Sequence, residues 1–171
     1  MLMRVDGCTG GIGPAGRDVV DGWQLLSLSS DQYMVVTLRD GDRESATPGD
    51  YLVTRDESAS SAAALPLAAA LVWFPDTTGW AGTPSGSTPS WPTFRQMPGW
   101  VRLLAGTAVD RSALVLMLAT STRAIDDACR ASRGTPLPPG QDPALLATPD
   151  RVAFCAVTAQ ILVPTAAGCA R

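Results

Sequence analysis

Thr9, Gly10, Gly13 and Gly16 stand at the spacing Thr-Gly-x-x-Gly-x-x-Gly within the stretch CTGGIGPAGRD, and Gly11, Gly13 and Gly16 overlap it as Gly-x-Gly-x-x-Gly. Glycines so spaced let a backbone come close to a pyrophosphate, and the N-terminus of a following helix would turn its free N–H groups toward the phosphates. The chemistry addressed is dinucleotide binding. Two acidic groupings are weaker. Asp40, Asp42 and Glu44 alternate as in a calcium loop, but the other ligands and the glycine of an EF-hand are missing, so a solvated turn is the reading. Asp126 and Asp127 are neighbours in a helical pattern and point to different sides, which fits a solvated face better than an acid/base pair.

What the chain lacks narrows its chemistry further. It has no His and no Lys, and all 13 basic residues are Arg. A Ser-His-Asp or Cys-His nucleophile, an imidazole base, a Schiff-base lysine and a P-loop lysine are therefore excluded. Catalysis would have to run through Asp, Glu, Tyr, Cys or Arg. The cysteines, at positions 8, 129, 155 and 169, form no C-x-x-C pair, and without His they read as no metal site. Cys155 lies in an apolar alternating run and reads as a small buried hydrophobe. No cofactor is expected on these grounds.

At 171 residues, 46% hydrophobic and 17% charged, with a mean hydropathy of +0.12, the chain reads as one globular domain. Its net charge is −3 and its arginines are scattered, so direct nucleic-acid binding is not expected. The longest apolar run, Ala62 to Phe74, is broken by Pro66 and is too short to span a bilayer. The N-terminus shows no signal-peptide pattern, and a soluble protein of a virion or host cytoplasm is the expectation.

Strand patterns dominate. In QYMVVTLRD, Met34, Val36 and Leu38 share one face, and Tyr51 to Thr54, Leu67 to Phe74, Trp100 to Leu104 and Ala113 to Thr120 read as further strands. The last is apolar on both faces, hence central. Asp40-Gly41 and Pro48-Gly49 are turn signals that predict a meander. RAIDDACRAS reads as a short helix, and RVAFCAVTAQILVP is the clearest strand. With two Glu and no Lys there is little to build exposed helical faces. The expectation is a mainly β fold, an antiparallel β-sandwich or jelly roll with long Pro/Gly/Trp loops and one or two short helices. Residues 1–18 read as a Gly-rich arm, because Arg4, Asp6 and Gly7 interrupt MLMRVDGC. Residues 19–164 read as the domain, with long loops at 75–100 and 131–150, and 165–171 as a tail.

Two resemblances follow. The first 40 or so residues resemble the cofactor loop of the extended and atypical short-chain dehydrogenase/reductase family. That resemblance implies NAD(P) binding by Thr9, Gly10, Gly13 and Gly16, a helix over Arg17 to Leu26, and Arg39 on a 2′-phosphate. The family's Tyr-x-x-x-Lys has only Tyr51-x-x-x-Arg55 as its nearest string. The order of strands and loops from Trp23 to Pro164 is similar to the coat domains of small icosahedral viruses. That resemblance implies a non-enzymatic shell, capsid-associated or decoration protein whose partners are copies of itself or other shell proteins. Trp80, Trp91 and Trp100 would then anchor subunit contacts, with Arg95 and Arg102 as polar partners. The shell protein is the leading expectation, NAD(P) binding the alternative, and a glycan- or ligand-binding β-sandwich the third.

Overall fold

In the computed structural model, the described residues are 1–8, 19–59, 64–75, 97–134 and 148–161. Among them, eight antiparallel strands close into a barrel: β1 (Leu2–Cys8), β2 (Val19–Ser27), β3 (Tyr33–Arg39), β4 (Asp50–Ser58), β5 (Ala68–Phe74), β6 (Trp100–Thr107), β7 (Ala113–Ala119) and β8 (Arg151–Ile161). A helix, α1 (Thr122–Gly134), connects β7 to β8. The order around the barrel is β1-β3-β2-β8-β5-β7-β6-β4. The mainly β expectation holds, while the sandwich or jelly roll gives way to a closed barrel. The reason lies at the sheet edges, where β2 pairs with β8 and β4 with β6, so no strand is left unpaired.

The order contains the same motif twice, β4-β1-β3-β2 followed by β8-β5-β7-β6. The registers repeat as well. Gly7 faces Met34 and Trp73 faces Leu114; Trp23 faces Val36 and Leu104 faces Leu116. Even the irregularities coincide. β2 bulges between Val19 and Asp21, and β6 at the corresponding place between Trp100 and Arg102. Thr54 is the bulged residue of β4 and Thr158 that of β8. Each hydroxyl donates to the carbonyl of the neighbouring strand, Ala105 at 3.3 Å and the corresponding Gln24 at 3.2 Å. The barrel is thus built from two equivalent halves around a pseudo-twofold axis along its length.

Alternation fills the interior, with Met3, Trp23, Leu25, Val36, Leu38 and Leu71 all fully buried. Strand β7 is buried on both faces, its outer Val115 and Met117 lying under Ile125 and Ala128 of α1. The helix begins at Ser121, whose hydroxyl accepts from the Ala124 amide at 3.2 Å. Its other face is solvated, where Arg130 pairs with Asp126 and Asp127. In the first half the corresponding connection, 40–49, contains no helix.

Three sequence expectations change. Leu2–Cys8 is a strand, not part of an arm, because Arg4 and Asp6 point outward and only the alternate positions enter the interior. Val19–Ser27 is a strand, not the helix implied by the dehydrogenase resemblance. The meander fails because β3 and β4 are not neighbours; both flank β1, and 40–49 passes over it to join them. No helix among the described residues is long and apolar enough to cross a membrane.

Candidate functional site

The two barrel ends differ. At the end where β2 and β6 begin, Asp21 and Arg102, equivalent positions of the two halves, meet across the axis at 2.7 Å. Arg102 also grips Asp56 in a two-point contact at 2.8 and 2.7 Å and lies 5.5 Å from the centroid of the Trp23 ring. Among the described residues, these charges form a floor at this end of the barrel.

At the other end the interior opens into a cavity of about 490 Å³. Val5 and Met34 form its apolar base, and Tyr33, Gln32 and Gly49 stand around the rim. Trp73 and Gly7, equivalent positions of β5 and β1, line opposite halves. Arg151, the first residue of β8, lies with its guanidinium 4.6 Å from the Trp73 ring centroid. It has no carboxylate partner among the described residues.

Tyr51 enters the cavity from β4. Burial pushes its phenol above the usual 10.0 and the Asp110 and Asp150 carboxylates add to this, against the opposing Ser112 hydroxyl. Tyr51 therefore stays protonated at neutral pH, and because the Ser112 hydroxyl hydrogen goes to Asp110, the Tyr51 O–H donates to the Ser112 oxygen and would turn from it to meet a ligand. Ser112 donates to Asp110 by its hydroxyl at 2.7 Å and its amide at 2.9 Å, which holds that carboxyl below 3.8. The end thus combines a flat aromatic wall, one cation and one neutral donor. That set suits a planar aromatic carrying oxygen. No group of three or more potential metal ligands occurs among the described residues.

The residues singled out by sequence lie elsewhere. Thr9, Gly10, Gly13 and Gly16, and likewise Trp80, Trp91 and Arg95, fall outside the described residues. Arg39 is bound to the buried Asp50, which also accepts from the Thr47 amide and hydroxyl, each at 2.7 Å, and lies 3.4 Å from Arg4. Arg39 is therefore paired within the barrel wall. Trp100 is buried beneath α1 and Arg102 is in the floor, so neither is a free surface anchor. Cys155 is fully buried, its thiol pushed up to about 11 by that burial. The cavity residues were missed. Their signal was a period-two series: Met3, Val5, Gly7 and Ala69, Leu71, Trp73 each run along one face to the rim.

Among the described residues, an antiparallel eight-stranded barrel with a charged cluster at one end and a cavity at the other is the architecture so defined. The chain is similar in structure to an anthrone oxidase-like protein, with a TM-score of 0.51 and 10% identity over 85% of this chain and 79% of that one. It is also similar to a candidate monooxygenase from Lactobacillus acidophilus NCFM, with a TM-score of 0.49 and 10% identity over 84% and 78%. No family model matches the sequence, and no curated protein matches it. The fold corrects both resemblances. The shell-protein expectation, with its virion, capsid and jelly-roll features, is overturned, since the closed barrel, the fold shared with the anthrone oxidase-like protein, differs from a coat domain. The non-enzymatic reading was drawn from the coat-domain resemblance and falls with it. The dinucleotide reading falls because β1, the strand that precedes the glycine stretch, has only antiparallel partners among the described residues, whereas the dinucleotide fold requires a parallel sheet.

Proposed function

We propose that the chain is an oxygen-using enzyme that oxidises a planar keto- or hydroxy-aromatic bound in the open-end cavity. The observation that carries this is the cavity itself, with Trp73 as an aromatic wall, Tyr33 at the rim, and Arg151 and Tyr51 as polar groups. Its volume of about 490 Å³ lies within the range of small-molecule sites. An anthrone-type ketone fits this set. The Tyr51 O–H donates to the ketone oxygen, which acidifies the ring CH2. One of its protons passes to water at the open mouth, and the negative oxygen of the enolate is held by Tyr51 and offset by Arg151. Dioxygen is the oxidant: the CH2 becomes a second C=O and one water is released. The shared fold of the anthrone oxidase-like protein supports this choice of substrate.

An oxygen electrode with anthrone tests the reading. The expected result is one O2 consumed per anthrone lost, with anthraquinone absorbance rising, at a rate about 100-fold lower in Tyr51→Phe. Uptake no faster than in buffer would overturn it.

A further inference from the structure

We propose that Gly7 sets ligand size at the open-end cavity, admitting a fused-ring aromatic that lies between Trp73 and the space over Gly7. This rests on reading that cavity as the substrate site.

The pseudo-twofold relation carries the inference. Strands β1 and β5 occupy the same place in the two halves and keep the same register to β3 and β7. Along their inner faces Met3 corresponds to Ala69 and Val5 to Leu71, so apolar side chains fill both. At the rim the halves part, with a hydrogen atom at Gly7 where the other half carries the indole of Trp73. A symmetric barrel would hold two indoles at this end. The Gly7 side is therefore left without the side chain that the Trp73 side carries.

The backbone does not require a glycine there. A Cβ at Gly7 would meet nothing within 4 Å, whereas at Gly22 it would come within 2.8 Å of the Val36 carbonyl and at Gly106 within 2.9 Å of the Tyr51 side chain. Gly22 and Gly106 are required by close packing. Nor is Gly7 in the left-handed region, unlike Gly49 and Gly99. What Gly7 contributes is open volume facing Trp73, and Arg151 stacked on that ring marks where a ligand's charged oxygen would lie.

Calorimetric titration with phenol, 2-naphthol and 2-hydroxyanthraquinone separates the possibilities. In the unmodified protein affinity should rise with ring number. Gly7→Leu and Gly7→Trp should weaken 2-hydroxyanthraquinone by about tenfold or more while leaving phenol within about threefold. Gly7→Ala should fall between. Circular dichroism and thermal melting should show all variants folded, since the added atoms enter open space. Equal affinity for 2-hydroxyanthraquinone in Gly7→Trp, or equal loss of phenol and 2-hydroxyanthraquinone, would overturn the role of Gly7. Failure of the unmodified protein to bind any of the three would overturn the cavity reading, and this inference with it.

Discussion

Asp21 and Arg102 hold the same position in the two halves of the chain, and they are bonded to each other across the barrel floor at 2.7 Å. Opposite charges at equivalent positions turn a symmetric contact into a cross-axis tie. Arg102 has the extra partner Asp56 on β4, while the corresponding residue on β8 is the uncharged Gln160.

Removing the arginine strands two carboxylates. The three side chains are 19 to 34% exposed, so the cost is moderated by solvent. Arg102→Met should lower unfolding free energy by about 2 kcal/mol in urea titrations. The exchange Asp21→Arg with Arg102→Asp should recover the cross-axis tie without the Asp56 grip. The double variant should thus lie between the unmodified protein and the single variants.

Thr54 and Thr158 make the same bulge contact in the two halves. Thr54→Val and Thr158→Val should each cost about 1 kcal/mol, equal within experimental error, with additive effects in the double variant. Unequal costs in urea titrations would show that the halves are not energetically equivalent.

Asp50 links acid stability to the first half's outer wall. Burial acts to raise its carboxyl, but the Thr47 hydroxyl and amide, then Arg39 and Arg4, overcome this and hold it below the ordinary 3.8. A carboxyl lowered on folding contributes stability that is present above 3.8 and lost as pH falls through its folded value. Urea midpoints measured from pH 6 to 2 should therefore decline at the acid end. Asp50→Asn should be less stable at pH 6, since two arginines lose their carboxylate, and should decline less steeply on acidification.

Tyr51 is raised above 10.0, chiefly by burial, so its donor should stay intact throughout the neutral range. The ratio of oxidation rates between the unmodified enzyme and Tyr51→Phe should remain constant from pH 6 to 9. A ratio that collapses within that interval would mean that the phenol ionises there and is not the neutral donor described.

The strands were legible because alternation is local. Met34, Val36 and Leu38, or the series around Cys155, announce a buried face without knowledge of their partners. Closure was not legible, because a sandwich and a barrel share that alternation and differ only in whether edges such as β2 and β8 meet. Arg4 and Asp6 looked like breaks in an apolar run, yet outward positions of a strand tolerate charge. The cavity was hidden for a related reason. Gly7 and Trp73 are far apart in sequence, and neither matches a motif; only the repeated register shows that they are counterparts. The glycine spacing at Thr9 to Gly16 was conspicuous, but its neighbouring strand has antiparallel partners.

The central claim, that the open end is the ligand site, is tested most directly by amide chemical-shift mapping with 2-hydroxyanthraquinone added to the isotope-labelled protein. The account predicts shifts concentrated at Gly7, Tyr33, Tyr51, Trp73 and Arg151, with Asp21, Asp56 and Arg102 at the charged floor unchanged. Shifts confined to the floor or the outer wall, or none at saturating ligand, would contradict it.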